Sequence, residues 1–276
     1  MFDIPQDALI DIIERAGAAI LEVYEGDIEV TAKDDASPLT QADLAAHEII
    51  VAGLQRVTPD IPVVSEESAL PSYTERRQWP RYWLVDPLDG TKEFVNRNGE
   101  FTVNIALIED GSAVWGIVGV PVQARIFIGD VSQGRAWLQE QGELRPIHGR
   151  RMSARQSEVV VVASRSHGGE RLEAYLDELA GHFPALRRQP VGSSLKLCAL
   201  ACGEADCYPR LGPTSEWDIA AAHAVLRAAG GEVYTFEREA LAYNGKESML
   251  NPEFVAVADA QYDWWQVLPP QPPLAE

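Results

Sequence analysis

Trp83-Leu84-Val85-Asp86-Pro87-Leu88-Asp89-Gly90-Thr91 decides how the rest of the chain is read. An apolar run of strand character leads into a tight turn with two carboxylates three residues apart and a hydroxyl at its end. Asp86 and Asp89 can point into one pocket, with the backbone carbonyl of Leu88 between them. Mg²⁺ favours such a site, because it takes a few oxygen ligands, keeps several waters and accepts the rest from a substrate phosphate. Gly90 and Thr91 then offer backbone N–H groups in what reads as the first turn of a helix, where an anion is favoured.

Taken alone, Asp-Gly is a common turn signal. Two other stretches raise its weight. Ile61-Pro62-Val63-Val64-Ser65-Glu66-Glu67 is a second short apolar strand that ends in acids, and Glu216-Trp217-Asp218 opens an Ala-rich helical run. Carboxylates at the ends of three separate elements form the pattern of a metal cluster rather than of a solvated face.

The 276 residues suffice for a large core and one or two domains, and 46% apolar with 24% charged residues is the composition of a globular protein. A formal charge of −19 argues against binding nucleic acid or an anionic membrane through bulk charge. A polyanionic small molecule would also be repelled at long range. The Debye length is only about 8 Å at physiological salt, however, so the field inside the pocket decides, and bound cations with a few basic side chains reverse its sign. Cys198, Cys202 and Cys207 show no C-x-x-C spacing and read as small buried residues. The first six residues lack a basic segment followed by an apolar one, and no apolar run approaches the roughly 20 residues of a membrane span. The expected location is the cytoplasm, with peripheral attachment to the inner membrane left open.

Helical periodicity covers 5–25, where Leu9, Ile12, Ile13, Ala16, Ile20 and Val23 form one stripe. A second helix, capped by Thr40 with Asp43 three residues on in a near capping box, runs to about Val57. Strands are expected at 61–65 and 81–86, followed by an antiparallel meander of 101–109, 113–120, 125–129 and 135–139. The polar, Arg-rich stretch 141–157 reads as a connector. It divides the chain into an α+β half, 1–150, that carries most of the acids, and an α/β half, 151–276. In the second half, strands at 159–163, 205–211 and 254–258 alternate with helices at 170–180, 193–202, 217–229 and 260–267. The tail from Pro269 to Pro273 reads as extended or disordered.

Glu66-Glu67, then Asp86 to Thr91, then Trp217-Asp218 with Gly230-Gly231 beyond, resemble in order and spacing the signatures of the inositol monophosphatase superfamily, over about residues 5–260. The resemblance implies a layered αβαβα sandwich and a lithium-sensitive, Mg²⁺-dependent phosphomonoesterase. It further implies that Glu66, Asp86 and the carbonyl of Leu88 hold one Mg²⁺, that Asp86, Asp89 and Asp218 hold a second, and that a third shares Glu66. Glu67 would support its neighbour. Thr91 would hold phosphate or orient the attacking water, with Asp43 as its proton acceptor and Glu66 counted in the same catalytic set. Helix capping is the other reading of Asp43. Lys33, on a polar loop, is either solvated or, as the resemblance has it, close to the metals.

The reacting group is thereby fixed more firmly than the rest of the substrate. Ser193 and Lys196 are three apart at an expected helix start, hence on one face, and Arg210 follows in Ala205-Asp206-Cys207-Tyr208-Pro209-Arg210. A helix N-terminus with these cations would bind a second, unreactive phosphate. These stretches, with Ser164-Arg165-Ser166-His167, resemble the 3′(2′),5′-bisphosphate nucleotidase branch, which implies that Gly90, Thr91, His167, Ser193, Lys196 and Arg210 contact the substrate. The expected reaction is hydrolysis of adenosine 3′,5′-bisphosphate to AMP and phosphate, with the 5′-phosphosulfate form as a further substrate. The expected partner is therefore a small nucleotide and not a nucleic acid; oligomeric state stays open. The alternatives are an inositol or other sugar-phosphate phosphatase, and a non-catalytic metal-dependent binding protein on the same fold.

Overall fold

In the computed structural model the described residues are 4–26, 38–153, 155–163 and 169–273, the side chains of 38–40 excepted. The apolar stripe of α1 (Gln6–Glu25) and the matching positions of α2 (Pro38–Val57) bury Leu9, Ile12, Ile20, Ile50 and Leu54. Their shared face packs on Trp83, Val85, Val103 and Ile105 of the first sheet. That sheet contains β1 (Val63–Ser65), β2 (Arg81–Asp89), β3 (Thr102–Glu109), β4 (Ser112–Val120), β5 (Arg125–Asp130), β6 (Arg135–Glu140) and β7 (Glu143–Ile147), in chain order. The short helices α3 (Tyr73–Arg76) and α4 (Thr91–Val95) interrupt it. Strand β1 runs parallel to β2, and every later pair is antiparallel.

The second sheet has the order β11-β12-β10-β8-β9. Its strands are β8 (Val159–Ala163), β9 (Leu186–Pro190), β10 (Cys207–Arg210), β11 (Glu232–Thr235) and β12 (Phe254–Val257). The intervening helices are α5 (Glu170–Ala180), α6 (Leu195–Ala201) and α7 (Glu216–Ala228). Side chains alternate across a strand, so Trp83 and Val85 face α1 and α2 while Tyr82 and Leu84 join the core shared with α6, α7 and the second sheet. The outer face of the second sheet is covered by Leu172, Tyr175, Leu176 and Leu179 of α5, together with Trp264. The result is the layered αβαβα sandwich. Helix α7 fits between the sheets because its inner positions are Ala220, Ala221, Ala222, Ala224 and Ala228, and because Gly116 and Gly129 of the facing strands have no side chain to obstruct it.

Several boundaries differ from the reading of the sequence. The stretch 141–157 contains a strand, β7, and two further strands, β9 and β11, join the edges of the second sheet. Helix α2 is described from Pro38, a residue suited to a first turn, so Thr40 falls within the first turn of the helix rather than at its cap position. Helix α6 begins at Leu195 rather than Ser193, and 260–267 holds only a 3₁₀ turn, Trp264–Gln266. The Pro-rich tail is held: Arg171 donates to the carbonyls of Pro272 and Pro273, each at 2.8 Å. The segment between β7 and β8 spans the expected division near residue 150, yet α7 of the second half lies on β3, β4 and β5 of the first. Among the described residues no helix is long and apolar enough to cross a membrane.

Candidate active site

Strand β2 carries one residue more than its partner between two pairing points. Asp86 stands opposite Asn104 and Asp89 opposite Thr102, three steps against two. On an unbroken strand, residues three apart face opposite sides of the sheet. The bulge at Pro87-Leu88 corrects the phase, so both carboxylates emerge on the face that looks toward α6 and α7. Pro87 has no N–H and suits a bulge, and the Leu88 N–H turns inward to donate to Asp86 Oδ1 at 3.1 Å. Gly90 follows at φ 99°, a left-handed conformation in which a Cβ would also sit tightly, 3.2 Å from Phe101 Cα and from Ser193 Cβ.

The other acids arrive by separate routes. Parallel pairing sets Ser65 beside Val85, and the Glu66 N–H donates to the Val85 carbonyl at 3.1 Å, so the next residue, Glu66, lies beside Asp86. His47 of α2 holds this end of β1, with Nδ1 2.8 Å from Ser65 Oγ. Asp218 lies in the first turn of α7, where its Oδ2 accepts from the Ser215 N–H at 2.9 Å. The start of α7 is itself anchored. The buried Arg76 donates to Asn244 Oδ1 and to the carbonyls of Lys246 and Glu247, and the Asn244 N–H donates to Glu216 Oε2 at 2.9 Å.

Glu66, Asp86, Leu88, Asp89, Gly90, Thr91 and Asp218 line a cavity of about 310 Å³. Ser193, Lys196 and Arg210 line the same cavity. Burial, followed by the charges of Asp89, Glu66, Asp218 and Asp43, raises the Asp86 carboxyl well above its ordinary value. Burial and Asp218 push Asp89 up to about 7, and burial pushes Asp218 up to about 6 against the Ser215 amide. Burial and Glu67 raise Glu66 as well. Mutually repelling, oxygen-only donors around one cavity fit a hard divalent cation. Among the described residues no three acidic, His or Cys side chains close into a tight metal cage. The acids are spread over the cavity wall, which suits an ion that keeps waters and shares its ligands with a substrate.

Asp43 is in the second turn of α2, too far in to cap it, and its Oδ1 is buried without a hydrogen-bond partner among the described residues. Burial, then Glu67 and Glu66, push its carboxyl up to about 8. Glu67 thus stands with Asp43 rather than in the cavity wall. Thr91 is exposed at the start of α4.

Ser193 and Lys196 do not share a helix face. Ser193 precedes α6 at φ 41°, and the Lys196 ammonium reaches back to donate to the Ser193 carbonyl at 2.7 Å. Its Nζ is 5.6 Å from the Tyr208 ring centre, and burial lowers the amine to about 8 although Asp89 opposes this. Arg210 donates to the carbonyls of Gly212 and Pro213. Lys33 and His167 lie outside the described residues. Cys198 and Cys207 are buried and Cys202 half-buried, and burial raises all three thiols, Cys202 to about 11.

The sequence motifs do not mark Thr102, Asn104 and Ser194, which are buried beside Asp89. A signal does exist. Thr102 and Asn104 are the two polar residues of Phe101-Thr102-Val103-Asn104-Ile105-Ala106-Leu107-Ile108, spaced by two and hence on one face.

The profile of the Inositol monophosphatase family matches residues 6–264. The chain is 48% identical over 250 residues to the 3′(2′),5′-bisphosphate nucleotidase CysQ of Salmonella typhimurium, covering 90% of this chain and 97% of that protein. It is 47% identical over 250 residues, with the same coverage, to CysQ of Escherichia coli. Among solved structures, CysQ from Bacteroides thetaiotaomicron, described as a bacterial member of the inositol monophosphatase family, superposes with a TM-score of 0.82 at 42% identity. That match covers 92% of this chain and 97% of the other. An inositol monophosphatase from Zymomonas mobilis shares the fold, with a TM-score of 0.72 at 23% identity, and 92% of each chain is covered.

Proposed function

Taking as premise that the chain belongs to the inositol monophosphatase family, we propose that it is a metal-dependent 3′(2′),5′-bisphosphate nucleotidase. Its reaction is hydrolysis of adenosine 3′,5′-bisphosphate to AMP and phosphate, and the 5′-phosphosulfate form is a second substrate. The observation that carries this reading is the composition of the cavity: Asp86, Asp89, Asp218 and Glu66 share it with Ser193, Lys196 and Arg210. A monophosphate on a neutral sugar has no use for the second, basic group. Identity of 48% with a nucleotidase of that specificity supports the same substrate class.

Glu66, Asp86 and the Leu88 carbonyl would hold one Mg²⁺, and Asp86, Asp89 and Asp218 a second, with Glu66 shared by a third. When bound, the metal supplies positive charge that offsets the carboxylates and acidifies an attacking water. The chain's own residues do the rest. Gly90 and Thr91 seat the reacting phosphate beside Asp89. Thr91 and Asp43 orient the water and take its proton, Asp43 being an acid that burial holds near the neutral range. Water attacks phosphorus, the bond from phosphorus to O3′ breaks, and O3′ takes a proton from solvent, which receives in turn the proton that Asp43 accepted from the water. Ser193, Lys196 and Arg210 hold the 5′-phosphate, which does not react. Lys33 and His167 are assigned to the metal side and the nucleotide side respectively.

The test is turnover by the purified protein with Mg²⁺, comparing adenosine 3′,5′-bisphosphate with inositol 1-phosphate. The bisphosphate should be strongly preferred, and chelation should abolish release of phosphate. Equal or faster turnover of inositol 1-phosphate would defeat the assignment.

A further inference from the structure

Ser194 ties the second half of the chain to an acid of the first. Its backbone N–H donates to Asp89 Oδ2 at 2.6 Å. Its hydroxyl donates to Asn104 Oδ1 at 2.9 Å and lies 2.8 Å from Thr102 Oγ1. The Ser194 hydroxyl has one proton, and an amide oxygen can only accept, so Thr102 is the donor in the Thr102–Ser194 bond. Thr102 Oγ1 is also 3.5 Å from Asp89 Oδ2 and 3.4 Å from Ser193 Oγ. Thr102, Asn104 and Ser194 are 0%, 1% and 3% exposed, so these bonds have no competition from bulk water. At the other end of the loop, the Gly192 N–H donates to Glu100 Oε2 at 2.7 Å.

The bulge in β2 makes this cluster coherent. It brings Asp89 opposite Thr102 and Asp86 opposite Asn104, so one strand supplies the acids and the next supplies the groups that hold the loop over them. The segment 192–196, a loop continued by the first two residues of α6, carries both Ser193 and Lys196. A displacement of that loop pulls on the hydrogen bond to Asp89, and rotation of the Asp89 carboxylate pulls on the loop.

We propose that Thr102 is a positioning residue that locks the segment 192–196 to Asp89 through Ser194, so that affinity for the divalent cation and affinity for the anionic, non-reacting end of the substrate are coupled. The inference rests on the assignment of Asp89 as a metal ligand. Coupling of this kind is reciprocal, each ligand improving the binding of the other by the same factor.

The test uses Thr102→Val, which keeps the shape and removes the hydroxyl, with Thr102→Ser as the conservative control. Mg²⁺ binding is measured by titration calorimetry without nucleotide, and KM for adenosine 3′,5′-bisphosphate is measured at limiting and at saturating Mg²⁺. Thr102→Val should weaken Mg²⁺ binding by about tenfold, the scale for a residue that orients a metal ligand. It should raise KM at limiting Mg²⁺ and return KM towards the wild-type value at saturation. Thr102→Ser should restore both. A merely structural role would lower the melting temperature in chelator and leave the Mg²⁺ affinity alone; that result, or an unchanged affinity in a folded Thr102→Val protein, overturns the proposal. Should Thr102→Val not fold, Ser194→Ala keeps the backbone bond to Asp89 but breaks the link to Thr102, and the same shifts are required of it. Failure of the wild type to hydrolyse the bisphosphate would reject the nucleotidase reading, whereas the calorimetric comparison contains no nucleotide and judges the lock separately.

Discussion

Gly116 on β4 lies against the backbone of Ala221 on α7 so closely that a Cβ at Gly116 would stand 2.2 Å from the Ala221 carbonyl oxygen. The obstruction is backbone, which cannot rotate away. Gly116→Ala should therefore force the helix off the sheet and destabilise the protein by about 1–3 kcal/mol, measurable as a lower urea midpoint. Because α7 carries Asp218, the variant should also need more Mg²⁺ for half-maximal activity. A urea midpoint equal to that of the wild type would show that the layer gives way more easily than the distance implies.

Asp86 should affect stability and activity in opposite directions. It is fully buried among Asp89, Glu66, Asp218 and Asp43, all of which resist its ionisation. Asp86→Asn keeps an oxygen for the Leu88 N–H and removes the buried charge. In chelator the variant should melt higher than the wild type; with Mg²⁺ it should lose phosphate release. A lower melting temperature than the wild type in chelator would mean that repulsion among these acids is not a significant cost in the metal-free fold.

Lys196→Met should separate substrate recognition from chemistry. A hydrogen bond to a charged group contributes about 1.5–3 kcal/mol, so KM for a 3′,5′-bisphosphate should rise by roughly ten- to a hundredfold on conversion of that energy. KM for a simple monophosphate ester should change little. Parallel increases for the two substrates would remove Lys196 from the second phosphate site.

His223 should make the fold sensitive to mild acid. Its Nδ1 is 2.7 Å from the buried Tyr243 hydroxyl, and its Nε2 contacts Oε1 of the half-buried Glu232. Burial, opposed by Glu232, keeps the imidazole below its ordinary pKa of 6.5. Burial pushes the Glu232 carboxyl up, but bonds from His223 and the Val233 amide prevail and hold it below 4.5. Below pH 6.5 the unfolded chain therefore takes up a proton at His223 that the folded chain resists. Stability is complete above that pH and falls as the pH drops, by at most about 1.4 kcal/mol per unit for this one group. Glu232 acts in the same sense at lower pH. Urea unfolding with saturating Mg²⁺ at pH 7.5, 6.5 and 5.5 should show a steeper decline for the wild type than for His223→Gln, and identical slopes would acquit the imidazole.

What was legible in the sequence follows burial. Strands β2 to β6 announce themselves because one or both faces are covered, and the stripe of α1 is plain for the same reason. The strands that the sequence does not reveal, β7, β9 and β11, are all sheet edges. Residues 143–146 of β7 and Arg187 and Arg188 of β9 are exposed, and an edge strand is held by its backbone with little help from apolar side chains. In the site, Glu66, Asp86, Asp89 and Asp218 could be read because carboxylates at the ends of apolar elements are conspicuous. Thr102 carries a weaker signal, since threonine in a strand is unremarkable and only its two-residue spacing from Asn104 marks a polar face. Its placement beside Asp89 depends on pairing register, a property of two segments together. The helix start assigned to Ser193 failed locally: its left-handed backbone lies just ahead of α6.

The bulge at Pro87-Leu88 makes residue number itself a chemical variable. Most surface turns absorb an insertion or a deletion with little consequence for their neighbours. Here, removing one residue between Asp86 and Asp89 would leave two steps against two: both carboxylates would stay on one face, but the bulge would close, and with it the inward turn of the backbone that points the Leu88 N–H at Asp86 would be lost. Homologous chains that keep this activity should therefore vary the chemical type of residue 87 or 88 far more readily than they vary the count.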